Sequence, residues 1–181
     1  MTKPISLAAL VACLALACIG CGSSSDFDGG KAKGIIESAP VSLDAEQVSL
    51  TPPQLDCGVQ SDLWESPTQV SADRTSARLT QQGRDLKFED EVTMEAGYNK
   101  PHVQLRGAIP LQVDEVSAIR NGDDASTKLV DAKVSAKIQH ACFQTPLPVL
   151  GVRKGKFKED TPVSFQFVMK EDGWHLDKIV H

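Results

Sequence analysis

The stretch Val130-Asp131-Ala132-Lys133-Val134-Ser135-Ala136-Lys137-Ile138-Gln139 alternates apolar and polar residues without a break. Successive side chains of an extended chain point to opposite faces, so this period of two predicts a strand with one buried and one wet face. A helix would spread the same apolar residues around its whole circumference. Antiparallel sheets are where a strand keeps one face in water, so this stretch commits the chain to antiparallel β-structure.

Other stretches repeat the pattern. Ala77 and Leu79 lead through Gln81-Gln82-Gly83-Arg84 to Leu86, Phe88, Val92 and Met94, which reads as a hairpin with Asp90 breaking the alternation. Val103, Leu105, Ile109, Leu111 and Val113 alternate after Pro101, with Gly107 at a place suited to a bulge. Asn121-Gly122-Asp123-Asp124 is a turn. Beyond Pro146 and Pro148, a strand through Val163, Phe165, Phe167 and Met169 turns at Glu171-Asp172-Gly173 and returns through Trp174, Leu176 and Val180.

A helix is signalled at Thr51-Pro52-Pro53-Gln54, where Thr at the N-cap and Gln three residues on form a capping box around a first-turn proline. Leu55, Val59 and Leu63 then recur every four residues, and Pro67 closes the segment. The expected fold is therefore α+β, mainly antiparallel β-sheet with a short N-terminal helix. The alternative is an all-β sandwich or half-barrel. A length of 181 residues fits one such domain.

The final hairpin, Pro162 to His181, resembles the closing strands of the cone-shaped α+β fold of the nuclear-transport-factor-like families. The resemblance implies a curved antiparallel sheet over those residues. Residues 35–70 hold less helix than the helical layer of that fold.

The first 21 residues are of another kind. Lys3 is their lone charge, and Ile5 to Gly20 is almost wholly Leu, Ala, Val, Ile and Cys. A basic start and a short apolar core are a secretory signal, and the run falls short of the roughly 20 residues that span a bilayer. Cys13, Cys18 and Cys21 lie at its far side. Ala15-Leu16-Ala17-Cys18 and Cys18-Ile19-Gly20-Cys21 both resemble the lipobox of bacterial lipoproteins. That resemblance implies a diacylglyceryl group on the cysteine thiol, cleavage just before that residue, and acylation of the new amino terminus. Cys21 is favoured because Gly22-Ser23-Ser24-Ser25 follows it as a mature lipoprotein start, with Cys18 the alternative; Cys13 leaves too short an apolar region ahead of it. The expected organisation is a lipoprotein signal peptide over 1–21, a flexible tether over 22–35, and a single globular domain over 36–181. Phe27 is the one large apolar side chain in residues 22–34, too little to offset the entropy of ordering them.

Removing the signal leaves a net charge of −6, which excludes a non-specific nucleic-acid binder. The charge is uneven, with 9 bases against 6 acids after residue 124. Arg153, Lys154, Lys156 and Lys158 cluster there, either as a solvated turn between short strands or as a contact for anionic headgroups or an acidic partner.

No nucleophile elbow, paired-histidine zinc helix, phosphate-binding glycine loop or Cys-x-x-Cys pair is present. His140 and Cys142 would share a strand face, with His102, His175 and His181 as the other imidazole or terminal candidates for a metal. Glu89-Asp90-Glu91 lacks the glycine-spaced ligands of a calcium loop and reads as a solvated hairpin end. His102, His140, Asp90 and Glu91 are the candidates for acid–base work. No catalytic residue, metal ligand or cofactor is assigned. After lipidation at Cys21, only Cys57 and Cys142 remain, and an even pair in an oxidising compartment closes. Their Cα atoms should then lie about 4.4–6.8 Å apart.

These residues together describe an exported lipoprotein, held by lipid at the outer membrane or cell membrane. Its expected role is that of a non-enzymatic binding or adaptor module of the cell envelope. Its expected partners are membrane lipid, through the acyl anchor, and an envelope protein, with no nucleic acid. A small-ligand-binding domain with a pocket in a curved sheet, or an enzyme, is the alternative.

Overall fold

Helix α1, Gly29–Ser38, lies inside the stretch expected to be a tether. The computed structural model describes residues 27–95, 100–154, 156–158 and 160–180, so both candidate lipidation sites lie outside the described residues. Asp28 caps α1, its Oδ1 accepting the Lys31 N–H at 2.8 Å. Ala32 and Ile36, one turn apart, are fully buried. Phe27 is in the core as well, its ring 5.0 Å from Phe167 and 4.7 Å from Trp174. The expected tether is therefore corrected over residues 27–35. Three apolar side chains suffice to order the segment because the sheet already presents the surface that receives them.

Among the described residues, ten of twelve strands build two sheets, with β8 paired alongside the second. β1 (Val41–Ser49), β2 (Thr68–Ser71), β3 (Arg74–Arg78), β4 (Phe88–Glu95) and β5 (His102–Ile109) form the first, in the order β1-β5-β4-β3-β2. β6 (Leu111–Asn121), β7 (Thr127–Ala136), β8 (Leu147–Pro148), β11 (Val163–Lys170) and β12 (Gly173–Val180) form the second, in the order β12-β11-β7-β6 with β8 on β7. A separate hairpin pairs β9 (Gly151–Arg153) with β10 (Lys156–Lys158). Every pairing is antiparallel. The fold is α+β and mainly antiparallel β-sheet, and neither sheet closes into a barrel.

Strand β7 behaves as its alternation requires: Val130, Ala132, Val134 and Ala136 are buried, as is Ile138 just beyond its end. Its other face is half-covered rather than wet, because β7 is a central strand with neighbours on both edges. The alternating run from Val103 to Val113 is two strands, not one. Pro110 divides it, since a proline has no N–H for the ladder, and there the chain leaves the first sheet for the second. The segment after β8 joins the sheets again: Val149 donates to the Val134 carbonyl at 2.9 Å, and Leu150 donates to Gln47 at 2.8 Å.

Helix α2, Pro52–Gln60, carries the capping box at Thr51 and Gln54. Its Gly58 accommodates Trp64, whose indole packs on the helix backbone and donates to the Leu55 carbonyl at 2.9 Å. Trp64, Phe88 and Phe143 form an aromatic cluster with ring separations of 5.7, 5.4 and 6.2 Å. Beside it, Cys57 and Cys142 are disulfide-bonded with Cα atoms 5.5 Å apart, tying α2 to the short turn Ala141–Phe143. A five-residue helix, α3 (Gln81–Asp85), connects β3 to β4.

Candidate functional site

Four polar residues run across the first sheet in one cross-strand row. Ser76 pairs with Thr93, Thr93 with His102, and His102 with Ser49, on β3, β4, β5 and β1 in turn. All four are buried, at 5, 7, 7 and 4 % exposure. Directly paired residues share a face, and so do residues two apart along a strand. The same face therefore carries Arg74 and Arg78 on β3, Glu91 and Glu95 on β4, Gln104 on β5 and Gln47 on β1. The adjacent row, Ala77 with Val92 and Val103 with Val48, points the other way into the core. The sheet is thus polar on one face across four strands and mainly apolar on the other, where Glu46 is buried among the core residues.

That polar face is the wall of an open cleft of about 660 Å³. Thr93 and His102 line it together with Arg74, Arg78, Arg84 from α3, Glu65, Asp90, Glu91 and Glu95. Cations and anions alternate along it. Arg74 donates to Glu91, while its Nε is buried with no acceptor among the described residues. Arg78 and Arg84 form no ion pair among the described residues. Burial pushes the His102 imidazole below its ordinary range; the Arg74 charge adds to this, and Glu95 and the Lys100 backbone oppose it. The neutral ring is the form this setting favours.

The structure brings three of the four acid–base candidates together, His102, Asp90 and Glu91, in this one cleft. His140 is elsewhere. It does not share a strand face with Cys142, because β7 has ended; it caps the Ala141–Phe143 turn, its Nδ1 accepting the Cys142 N–H at 3.2 Å. Glu89-Asp90-Glu91 is not a hairpin end but lies within β4, where Asp90 adopts φ +59° and the register against β5 shifts. Its acids go separate ways: Glu89 accepts from Arg106 at 2.6 Å, and Glu91 from Arg74. His175 on β12 sits 2.7 Å from Asp172, and His181 lies outside the described residues. No metal-holding group of three His, Cys, Asp or Glu occurs among the described residues. Arg153, Lys154, Lys156 and Lys158 form the exposed β9–β10 hairpin.

Sequence reasoning passes over Arg74, Ser76, Arg78, Thr93, Glu95 and Arg84. A signal was there: Arg74-x-Ser76-x-Arg78 and Glu91-x-Thr93-x-Glu95 are polar at every second position. Following the apolar parity alone hides it. Compared with known families, with curated proteins and with solved structures, the chain matches none.

Proposed function

We propose that this chain is an exported, lipid-anchored binding module of the cell envelope, and that the polar face of the first sheet receives its partner. The anchor is the lipobox-like site at Cys21, with Cys18 the alternative. The observation that supports the binding surface is the charged lining that Arg74, Arg78, Glu91 and Glu95 form on the polar face of the first sheet, around the buried row Ser76–Thr93–His102–Ser49. The charged lining and open shape of the cleft suit a polar partner carrying both signs of charge, rather than an apolar molecule enclosed in a pocket. Binding is favoured over catalysis because the Glu91 carboxylate is already engaged by Arg74.

Site-specific photo-crosslinking in living cells tests the reading. A photoreactive residue at Arg78 or Glu95 should yield a discrete adduct, and one at exposed Lys137 should yield none. Adducts at all three positions alike, or at Lys137 only, would remove the cleft as the binding surface.

A further inference from the structure

Arg153 and Lys156 are direct cross-strand partners in the β9–β10 hairpin. Side chains so placed have Cβ atoms about 4.5–5.5 Å apart, and like charges in that position repel. Lys158 lies two residues along from Lys156 and so shares its face, while Val152 and Phe157 pair on the other. Lys154, at the turn, adopts φ +53° and is exposed. None of these four cations forms an ion pair or side-chain hydrogen bond among the described residues. Other cations have acids near them: Arg106 is held by Glu89 and Asp44 and Arg120 by Asp131, while Arg78 and Arg84, though in no ion pair among the described residues, share the cleft with Glu65, Asp90, Glu91 and Glu95. The hairpin concentrates positive charge that folding does not neutralise, in a chain whose mature net charge is −6.

Its distance from the anchor is bounded. Phe27 is buried against Phe167 and Trp174, so only six peptide steps separate it from Cys21, a span of at most roughly 20 Å. The hairpin leaves the domain where Gly151 donates to the Thr161 carbonyl at 3.2 Å, next to the start of β11. From Val163 to Phe167 along that strand is about 13 Å. A bilayer holding Cys21 is therefore within reach of the hairpin.

We infer that the β9–β10 hairpin is a second membrane contact, in which Arg153, Lys154, Lys156 and Lys158 bind anionic lipid headgroups and orient the anchored domain. The inference rests on the lipid-anchor reading of Cys21 given above. An anionic surface relieves the Arg153–Lys156 repulsion and, at short range, favours each basic residue by roughly five-fold in partitioning. The rest of the domain, being acidic, is repelled by the same surface, so the hairpin decides which side faces it.

The test uses the protein as isolated from cell membranes, mixed with vesicles of phosphatidylcholine alone or with phosphatidylglycerol. Flotation with the neutral vesicles reads the anchor. Amine-reactive labelling of Lys154, Lys156 and Lys158 reads the hairpin, and should slow at least five-fold on anionic vesicles, with the difference removed by high salt and, at the remaining Lys154 and Lys158, by R153E/K156E. Equal labelling on both vesicles, in a protein that floats with both, overturns the hairpin contact and leaves the anchor standing. A chain that bears no acyl group and stays down with neutral vesicles overturns the anchor; flotation with anionic vesicles that is lost in R153E/K156E would still support the hairpin. Labelling suppressed in native membranes but not by anionic vesicles would assign the hairpin to an acidic protein and overturn the lipid contact. An unchanged melting curve for R153E/K156E excludes misfolding, and R153Q/K156Q gives the intermediate effect that charge predicts.

Discussion

Glu37 on α1 accepts the backbone N–H of Val113 at 2.8 Å across 76 residues of sequence, while Lys33, one turn earlier, donates to the Val113 carbonyl at 3.0 Å. Val113 belongs to β6, the edge of the second sheet. An edge strand exposes unpaired backbone groups that invite another strand, and here a helix satisfies both groups of one residue. Glu37→Ala should therefore cost about 1–2 kcal/mol, because it strands a part-buried donor. Chemical denaturation measures this, with exposed Lys31→Ala as the control that should cost nothing.

Gly58→Ala tests how α2 meets the aromatic cluster. Helix propensity alone predicts that it stabilises by about 1 kcal/mol. The added Cβ, however, would stand 2.0 Å from the Trp64 ring. Overpacking wins, and the variant should lose about 3 kcal/mol or more. A raised melting temperature would show that Trp64 can move aside.

Phe27→Ala distinguishes a folded segment from a tether. Truncating a buried aromatic costs about 3–5 kcal/mol, and here it would uncover Phe167 and Trp174 together. A variant as stable as the parent in a urea titration would return residue 27 to the tether.

The Cys57–Cys142 bond closes a loop with a sequence separation of 85. In the chain-entropy account, reduction, or replacement of both cysteines by Ala, should lower stability by about 4–5 kcal/mol. Denaturation with and without reductant measures it. Two free thiols in the folded exported protein would contradict the bond.

His102 sets a pH dependence. Its folded-state pKa lies below the unfolded value, so the unfolded chain takes up the proton more readily. The stabilising contribution is complete above about 6.5 and is lost as pH falls from there through the depressed folded value. His102→Gln should flatten the stability profile between about pH 6.5 and 5, before the carboxylates titrate. A wild-type profile as flat as the variant's would mean that the ring is open to protons in the native cleft.

Wherever a structural feature is decided within a few residues, the chain is legible without coordinates. The β7 alternation, the Thr51–Gln54 capping box, the break at Asp90 and the Asp172-Gly173 turn each follow from backbone geometry or a local hydrogen bond. Helix α1 is not legible in this way. Its two fully buried residues, Ala32 and Ile36, gain nothing until β6 is in place beside them, and composition over 22–35 contains no record of that strand. Pro110 shows the same limit: a proline in an alternating run signals an interruption, but whether the chain kinks or changes sheets depends on which strands already hold the edges. The candidate site depends most on tertiary structure. Ser49, Ser76, Thr93 and His102 are unremarkable one at a time and span more than 50 positions of sequence. Register between strands aligns them into one row, and register is set by the apolar residues on the opposite face, whose burial leaves the polar parity on the cleft side.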